Sequence, residues 1–209
     1  MNSVVVTGSN GGIGTAIANV LRDTGYFVIG TDIGPDRNSL DAYIDCDLEE
    51  FVAEPECRER FVKEVDLLLD SRKLIALVNN AAFLETARLQ ELRVPDFSTT
   101  MNVNVVAVFA LSQILIHLLE ASNGSVVNIG SIHAKLTKPG FINYATSKAA
   151  LRGLTQAMAV ECGVRVRVNL IEPAAIATPM LVAGFVETPE ALERLAEYHP
   201  VGRIGQPCE

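Results

Sequence analysis

The first residues of the chain contain the pattern that most limits what it can fold into. A short valine-rich run, Ser3–Thr7, leads at once into a turn with glycine at positions 8, 12 and 14, and an amphipathic helix pattern, Gly12–Asp23, follows. Glycine at these spacings permits a tight turn, close backbone approach to a phosphate and close helix-on-strand packing. Backbone N–H groups and the positive helix end then face an anion. The turn predicts a dinucleotide pyrophosphate site, and a glycine-rich turn that binds nothing is the alternative.

Short apolar runs alternate with longer helical patterns along the rest of the chain. The runs are rich in β-branched residues and lack in/out alternation, which is typical of strands buried on both faces. This rhythm predicts a single α/β domain over residues 1–209, a doubly wound parallel sheet with helices on both faces. The predicted strands are Ser3–Thr7, Phe27–Thr31, Ala42–Asp45, Leu74–Asn79, Ser125–Ile129 and Arg165–Leu170, and the predicted helices are Gly12–Asp23, Pro55–Leu69, Asp96–Glu120 and Asn143–Cys162.

The connection between the second and third strands is unusually short. It consists only of Ile33 to Asp41 and includes a Gly-Pro pair. Parallel neighbours normally need a crossover of about a dozen residues or more. We therefore expect a turn or one short helical turn there, with thin cover for the sheet on that side.

Composition narrows the class of protein. The net charge of −8 argues against nucleic acid or an anionic membrane as the main partner, because both attract clustered cations. Four cysteines and three histidines show no metal-ligand spacing. The best apolar stretch, Val103 to Leu111, is too short to span a bilayer, and no basic leader precedes the first strand. We expect a reduced, soluble, cytoplasmic protein without a metal.

Asp32 ends the second predicted strand, at about the spacing from the glycines where a carboxylate binds the adenosine ribose hydroxyls. A carboxylate there would repel the 2′-phosphate of NADP, and no cation stands beside it. Arg37 is the nearest cation that would offset this repulsion. We therefore expect NAD, with NADP less favoured; a solvated acid at the strand end is the alternative.

A second set of residues has the chemistry of proton transfer. Tyr144 and Lys148 are four residues apart, and therefore neighbours on one helix face. Ser131 follows the fifth strand, Asn104 lies in the helix before it, and Asn79-Asn80-Ala81-Ala82 follows the fourth strand. These positions lie near the carboxyl ends of the strands, where open α/β sheets bind their ligands.

The order and spacing of these motifs resemble those of the classical short-chain dehydrogenase/reductase family. No single motif is specific, but together they extend over essentially the whole chain. They are Thr-Gly-x-x-x-Gly-x-Gly at Thr7–Gly14; Asp47-Leu48; Asn79-Asn80-Ala81-Ala82; Asn104 in Asn-x-x-Ala-x-Phe; Ser131; Tyr-x-x-x-Lys at Tyr144 and Lys148; Arg167-Val168-Asn169; Pro173-Ala174; and Thr178-Pro179-Met180.

The resemblance implies a Rossmann-type fold and interconversion of a secondary alcohol and a ketone. Tyr144 would take the alcohol proton as hydride leaves for NAD, or return it to a ketone. Because a free phenol has a pKa of about 10, Lys148 would stabilise the phenolate, with help from the nicotinamide charge, and hold the nicotinamide ribose. Ser131 would orient the reacting oxygen, and Asn104 would hold a water that links Lys148 to solvent. The alternatives are a Ser131 that caps a loop and an Asn104 that satisfies backbone groups at a helix bend.

The resemblance also implies a cofactor site, in which Asp47 and Leu48 contact the adenine. Two departures from the family are mild, since alanine replaces the usual glycine at Ala82 and Ala174. The residues expected at the cofactor are Gly8, Asn10, Gly11, Gly12, Ile13, Gly14, Asp32, Asp47, Leu48, Asn80, Ala81, Ala82, Tyr144, Lys148, Pro173, Ala174, Ile176 and Thr178.

The segment from Ala174 to about residue 200 resembles the mobile substrate loop of the family. It is largely apolar and contains a glycine, Gly184, that would serve as a hinge. His133 and Phe141 are expected to face the substrate pocket, with a surface position for His133 as the alternative. Such a pocket suits an alcohol or ketone of modest polarity.

The C-terminal residues and two of the predicted helices indicate which surfaces of the protein are left free to contact another chain. Family members follow a segment like His199–Glu209 with another helix and a final strand, so we expect the sixth strand to keep an open edge. The patterns Val103–Leu119 and Tyr144–Val160 carry apolar or small residues on more than one face, which favours a homodimer or homotetramer. Two other functions stay open: a non-catalytic NAD-binding regulatory or scaffold protein, and a sugar-nucleotide epimerase or dehydratase, which needs a larger C-terminal domain.

Overall fold

The computed structural model describes residues 1–183, 185 and 189–209. At its centre lies a six-stranded parallel sheet in the order β3-β2-β1-β4-β5-β6. The chain runs outward from β1 to β3, crosses to β4 and runs outward again to β6, so the direction reverses between β1 and β4. This is the predicted doubly wound sheet, and the prediction is confirmed. The strands are β1 (Ser3–Thr7), β2 (Phe27–Asp32), β3 (Ala42–Asp45), β4 (Leu74–Asn79), β5 (Ser125–Ile129) and β6 (Arg167–Ile171).

The helices of the described residues join and cover these strands. They are α1 (Gly12–Asp23), α2 (Leu48–Ala53), α3 (Pro55–Leu69), α4 (Val94–Met101), α5 (Ala107–Ser122), α6 (Ile142–Cys162), α7 (Pro179–Ala183) and α8 (Pro189–Leu195). A π-helical turn, Asn102–Val106, joins α4 to α5. Single 3₁₀ turns span Ile132–Ala134 and Ala196–Tyr198.

Three differences from the predicted elements have local causes. The strand predicted from Arg165 begins at Arg167, because Arg165 N–H bonds to the Cys162 carbonyl and continues the turn after α6. The helix predicted as Asp96–Glu120 begins at Val94, with proline in its first turn, and is interrupted by the π-helical turn. The short α2 was not predicted; the Asp47 carboxylate caps it by accepting a hydrogen bond from Glu49 N–H at 2.8 Å.

The two faces of the sheet carry unequal cover. Alternate residues of β1 point to opposite sides: Val5 packs into a large cluster with buried residues of α2, α3, α5 and α6. Val4 and Val6 pack into a smaller cluster whose helical residues come from α1. Leu40, from the connection between β2 and β3, joins this second cluster. Among the described residues, that face therefore has one helix and a loop side chain.

The connection between β2 and β3 contains no full helix, as predicted, and the short helical turn that was allowed for does not form either. The Asp36 carboxylate accepts hydrogen bonds from the N–H groups of Asn38 and Leu40, both at 2.8 Å. The Asn38 side chain donates to the Ser9 carbonyl at 2.7 Å and to Thr15 Oγ at 3.0 Å. The loop is therefore tied to the glycine-rich turn, and it places Leu40 over Gly30, where a Cβ would collide with the leucine.

The run Val94–Ser122 is long and apolar enough, by length and composition alone, to cross a membrane. The sequence was expected to hold no uninterrupted apolar stretch of that length, and this longer run includes polar residues such as Asp96 and Asn102. Leu111, Leu115 and Leu119 of this run are buried against the sheet. In this fold one face of the run packs against the sheet.

The end of the described chain returns to the segment after β6. Gly205 accepts a hydrogen bond from Ala177 N–H at 2.8 Å and donates one to the Ala175 carbonyl at 2.9 Å. This short parallel bridge pairs Gly205 with Ile176. The other edge of β6 has no strand partner among the described residues.

Candidate active site

The predicted site residues meet along the carboxyl edge of the sheet. The segments that leave β1, β2, β4, β5 and β6 all emerge there, because the strands are parallel. The reversal between β1 and β4 opens a crevice of the kind in which doubly wound sheets bind dinucleotides.

The glycine-rich turn fits a bound pyrophosphate. Gly8 has a φ of +65°, and a Cβ there would lie 2.7 Å from the Cα of Ala81. A Cβ on Gly14 would collide with the Gly8 carbonyl oxygen. Gly11 is the N-cap of α1 without any side-chain cap, and no acidic residue occupies the first turn. The positive helix end and its N–H groups therefore stay available to an anion.

The neighbouring cofactor candidates fix this turn in place. Asn80 donates from its side chain to the carbonyls of Thr7 and Gly8, at 2.9 and 3.0 Å. The Thr7 hydroxyl accepts hydrogen bonds from the N–H groups of Asn80 and Ala81, at 3.0 and 2.9 Å. Asn80 thus joins the end of β4 to the turn after β1. Thr178 lies against the same turn, 2.9 Å from where a Cβ on Gly12 would be.

Asp32 lies beside the turn, at the end of β2. Its carboxylate accepts hydrogen bonds from Asn10 N–H at 2.9 Å and from Ile33 N–H at 2.8 Å. The Asn10 side chain donates to the Pro35 carbonyl and to the Tyr43 hydroxyl, at 3.1 and 3.0 Å. These bonds hold the carboxylate where the ribose was predicted to bind. Of the two residues predicted at the adenine, Asp47 caps α2 and Leu48 is 7% exposed.

Several carboxylates act on this part of the crevice. The pKa of Tyr43 is raised to about 12, first by burial and then by the charge of Asp32, with smaller contributions from Asp45 and Asp36. A hydrogen bond from Asn10 acts in the opposite direction. Arg37 was named from the sequence as the nearest cation that would offset the repulsion of a 2′-phosphate. Its side chain is exposed, and its backbone N–H donates to Asn10 Oδ1 at 3.0 Å. The local field is therefore unfavourable to a further anionic group.

The proton-transfer residues come together at the start of α6. Tyr144 and Lys148 lie one turn apart, with the Lys148 nitrogen 5.5 Å from the centre of the phenol ring. Burial raises the pKa of Tyr144, and a hydrogen bond with Ser131 lowers it. Lys148 is 2% exposed, and burial lowers its pKa to about 8. Its nitrogen donates to the Ile129 carbonyl at 2.9 Å.

This geometry differs from the sequence expectation in one respect. Lys148 was expected to bring the pKa of Tyr144 closer to neutral. In this structure the Lys148 nitrogen is directed at the end of β5, and the group that favours the phenolate is the Ser131 hydroxyl.

Ser131 and Asn104 also have the structural roles that were kept as alternatives. Ser131 Oγ accepts a hydrogen bond from His133 N–H at 3.1 Å and so caps the 3₁₀ turn, while it faces Tyr144. Asn104, 1% exposed, bonds through Oδ1 to Phe83 N–H and through Nδ2 to the Phe83 carbonyl and Ser147 Oγ. Both N–H donors of the Asn104 side chain are engaged and Oδ1 accepts one bond, so a water held by this side chain could only donate to Oδ1.

An aromatic wall stands beside the phenol of Tyr144. The ring of Phe141 lies 5.8 Å from that of Tyr144 and 4.7 Å from that of His133, measured between ring centres. His133 Nδ1 lies 2.8 Å from the Leu136 carbonyl. Because a carbonyl only accepts, we assign the proton to Nδ1, and Nε2 is then an acceptor. Burial lowers the pKa of His133, with a smaller effect from the charge of Lys138.

The segment after β6 contributes the last candidates. The Pro173 carbonyl accepts a hydrogen bond from Ile132 N–H at 3.0 Å, which places Pro173-Ala174 beside the turn that holds Ser131. Ile176 is held by Gly205, as described above. The predicted hinge, Gly184, lies outside the described residues, as do Val186, Glu187 and Thr188.

A buried polar network that the sequence analysis missed supports the site. Asn79 donates to Asn128 at 2.8 Å, and Asn128 donates to Thr155 at 2.9 Å, which links β4, β5 and α6. Asn143 donates to Thr100 at 2.9 Å and joins α6 to α4. A usable signal existed for two of these residues, since Asn79 and Asn128 stand in strands predicted to be buried on both faces.

Comparison with known proteins agrees with this geometry. A family model described as short chain dehydrogenase matches residues 2–186. The 3-oxoacyl-[acyl-carrier-protein] reductase of Thermotoga maritima is 31% identical over 98% of this chain and 85% of its own. Ligand-free aldohexose dehydrogenase of Thermoplasma acidophilum superposes with a TM-score of 0.89 at 28% identity, over 99% of this chain and 82% of its own. A 3-oxoacyl (acyl-carrier-protein) reductase of Agrobacterium tumefaciens with NADP bound gives 0.86 at 26% identity, over 99% and 83%.

Proposed function

The chain belongs to the short-chain dehydrogenase family, and we propose that it interconverts a secondary alcohol and a ketone with NAD(H) as its cofactor. The observation that carries this proposal is the arrangement of Tyr144, Ser131 and Lys148 beside the glycine-rich crevice. The Ser131 hydroxyl acts on the phenol by lowering the pKa of Tyr144, and a buried amine lies one helical turn away. Such a set can move one proton to or from an oxygen atom.

The chemistry follows from the positions of these groups. When bound, the nicotinamide supplies the hydride to the carbonyl carbon or accepts it from the alcohol carbon. In the reductive direction the Tyr144 hydroxyl gives its proton to the ketone oxygen as negative charge develops there. Ser131 donates a hydrogen bond to the same oxygen and orients it. In the oxidative direction the phenolate takes the alcohol proton.

Lys148 supplies positive charge and a proton reservoir. With a pKa of about 8, its amine is largely protonated at neutral pH yet close to release. An ammonium near the phenol favours the phenolate, and an amine with a pKa near the working pH is well suited to return a proton to it. Its bond to the Ile129 carbonyl keeps it at the end of β5 until cofactor hydroxyls compete for it.

The choice of NAD over NADP rests on the electrostatics of the adenosine end. Asp32 is positioned by two N–H groups. The charges of Asp32, Asp36 and Asp45 all raise the pKa of Tyr43, so the three carboxylates lie near one another. A 2′-phosphate would meet these carboxylates, whereas the ribose hydroxyls of NAD can donate to Asp32. Likeness to solved structures does not choose between the cofactors, because the similar reductase from Agrobacterium tumefaciens has NADP bound and a similar 4-hydroxyisoleucine dehydrogenase is complexed with NADH.

The deciding experiment is a titration of the protein with NADH and, separately, NADPH, followed by nicotinamide fluorescence. We expect saturable binding of NADH and much weaker binding of NADPH. A screen of secondary alcohols and ketones with wild type and Tyr144→Phe then tests for turnover. Equal binding of both cofactors would refute the NAD assignment. Binding without any turnover would favour the non-catalytic regulatory or scaffold protein.

We also propose a homodimer or homotetramer built on the outer faces of α5 and α6. Phe109 is 46% exposed and Val160 is 83% exposed on these helices. Large apolar side chains of this kind are buried when copies associate. A monomeric mass by light scattering would contradict this assembly. A cytoplasmic location is proposed on the support of four free thiols.

A further inference from the structure

Lys138, a residue outside the predicted site, stands at the edge of the aromatic wall. Its ammonium nitrogen lies 4.4 Å from the centre of the Phe141 ring and 5.0 Å from that of Phe185. Phe141 in turn contacts Tyr144, and Phe185 belongs to the predicted substrate loop. The Phe141 ring therefore contacts both the ammonium and the Tyr144 phenol, and the ammonium also contacts a second phenyl ring.

The positive charge of Lys138 is available to a ligand. Among the described residues, no carboxylate lies within 4.0 Å of its nitrogen, since it occurs in none of their ion pairs. Its charge contributes to the lowered pKa of His133, behind the larger effect of burial, so its field extends to the imidazole beside Tyr144. Partial burial lowers the pKa of Lys138 itself, which is consistent with an ammonium that has lost part of its water.

A cavity next to this ammonium has the same sign of charge. It measures about 640 Å³ and is lined by Arg88, Lys138 and residues 145 and 146 of α6, the neighbours of Tyr144 in the chain. Its described lining contains two cations and no acidic residue. The chain as a whole has a net charge of −8, so a concave surface with cations and no acidic residue has the opposite sign of charge. This surface adjoins helix α6.

We propose that Lys138 is a specificity-determining residue, whose ammonium binds an anionic group on the ketone or alcohol substrate. The inference rests on the proposed function and adds the substrate class: a carbonyl compound with a carboxylate or phosphate several bonds from the reacting carbon. The reacting oxygen would lie at Tyr144 and Ser131. The intervening carbon chain would pack on Phe141, and the anion would meet Lys138, with Arg88 as the second cation of the cavity. A charged group so placed discriminates strongly between an acid and its neutral ester.

The test compares wild type with Lys138→Met, Lys138→Arg and the control Lys135→Met, which alters an exposed lysine of the same loop. Methionine keeps the aliphatic stem between the two phenyl rings and removes the charge. With saturating cofactor, kcat/KM is measured for 5-oxohexanoate, its methyl ester and the corresponding oxoalkyl phosphate. We expect Lys138→Met to lower kcat/KM for the preferred anion about 10- to 100-fold, through KM, and to change the ester less than about 2-fold. Lys138→Arg and Lys135→Met should retain the preference, and the more affected anion identifies the group that is recognised.

An equal loss for acid and ester would overturn the proposal and leave Lys138 as a support of the aromatic wall; no loss would overturn it as well. Calorimetric binding of the unreactive anion hexanoate to the enzyme–cofactor complex separates this proposal from the proposed function. Hexanoate binding that Lys138→Met weakens about 10-fold, in an enzyme that turns over no ketone, would support the anion site and refute the proposed activity. If neutral ketones are turned over and Lys138→Met leaves hexanoate binding unchanged, the proposed activity is supported and the anion site is refuted.

Discussion

Because Lys148 is buried, we expect its charged amine to lower the free energy of unfolding of the protein. Burial lowers the pKa of this amine from 10.5 to about 8. At about 1.4 kcal/mol for each pKa unit, the folded state pays about 3 kcal/mol to keep the ammonium charged at pH 7. The substitution Lys148→Met removes the charge and retains the chain length, but it leaves the Ile129 carbonyl without its partner at a cost of about 1–2 kcal/mol. We expect the variant to be inactive and yet more stable at pH 7, by about 1–2 kcal/mol.

The pH dependence follows from proton linkage. Between pH 8 and pH 10.5 the unfolded chain keeps a proton on Lys148 that the folded chain has lost, since the folded pKa is the lower one. The stability of the wild type relative to the variant therefore rises with pH through this window. The advantage of Lys148→Met should be complete below pH 8 and should fade as the pH approaches 10.5.

Urea unfolding of the cofactor-free protein at pH 7 and pH 10 measures both effects. Lys135→Met, at an exposed site, is the control and should match the wild type at both pH values. Two results would show that burial of the ammonium is fully compensated. One is a Lys148→Met variant less stable than wild type at pH 7, and the other is the same difference in unfolding free energy between variant and wild type at both pH values. The reasoning from burial would then be refuted.

Four further changes test the site and the assembly. Tyr144→Phe should lower turnover at least ~10²-fold and leave the NADH dissociation constant within about 2-fold; unchanged turnover would remove the phenol from the mechanism. Asp32→Asn should improve NADPH binding relative to NADH by at least about 5-fold in the fluorescence titration, and an unchanged ratio would place cofactor selection elsewhere. Asn10→Ala removes three side-chain hydrogen bonds and should lower the free energy of unfolding in urea by about 1–3 kcal/mol. Phe109→Ser should reduce the mass seen by light scattering, and an unaltered oligomer would exclude this surface.

Sequence patterns correctly predicted the strands and helices whose ends are marked by neighbouring residues in the chain. β1, α1, β3, α3, β4 and β5 begin and end at the predicted residues, because their apolar runs are bounded by glycine, proline or polar residues. α2 was missed because six residues are too few to show a helical period. The π-helical turn at Asn104 has no sequence period of its own, and it depends on hydrogen bonds to Phe83 and Ser147 that only the folded chain brings together.

The candidate site was predicted as a set of residues, but its bonds were not. The spacing of Tyr144 and Lys148 fixes their common helix face, whereas the bond from Lys148 to the Ile129 carbonyl depends on where β5 ends against α6. Lys138 was missed altogether. Phe141 is only three residues away from it, but the contact with Phe185 joins residues far apart in the chain and could not be read from the sequence around Lys138.

The helix-free connection between β2 and β3 has a consequence for how this protein can evolve. The same few residues shield one face of the sheet through Leu40, tie down the glycine-rich turn through Asn38 and place acidic charge near the adenosine end through Asp36. In a chain with a full crossover helix, cover and cofactor recognition belong to separate segments and can change one at a time. Here a change at Asp36, whose carboxylate accepts hydrogen bonds from Asn38 and Leu40, would alter the acidic field and the cover of the sheet together.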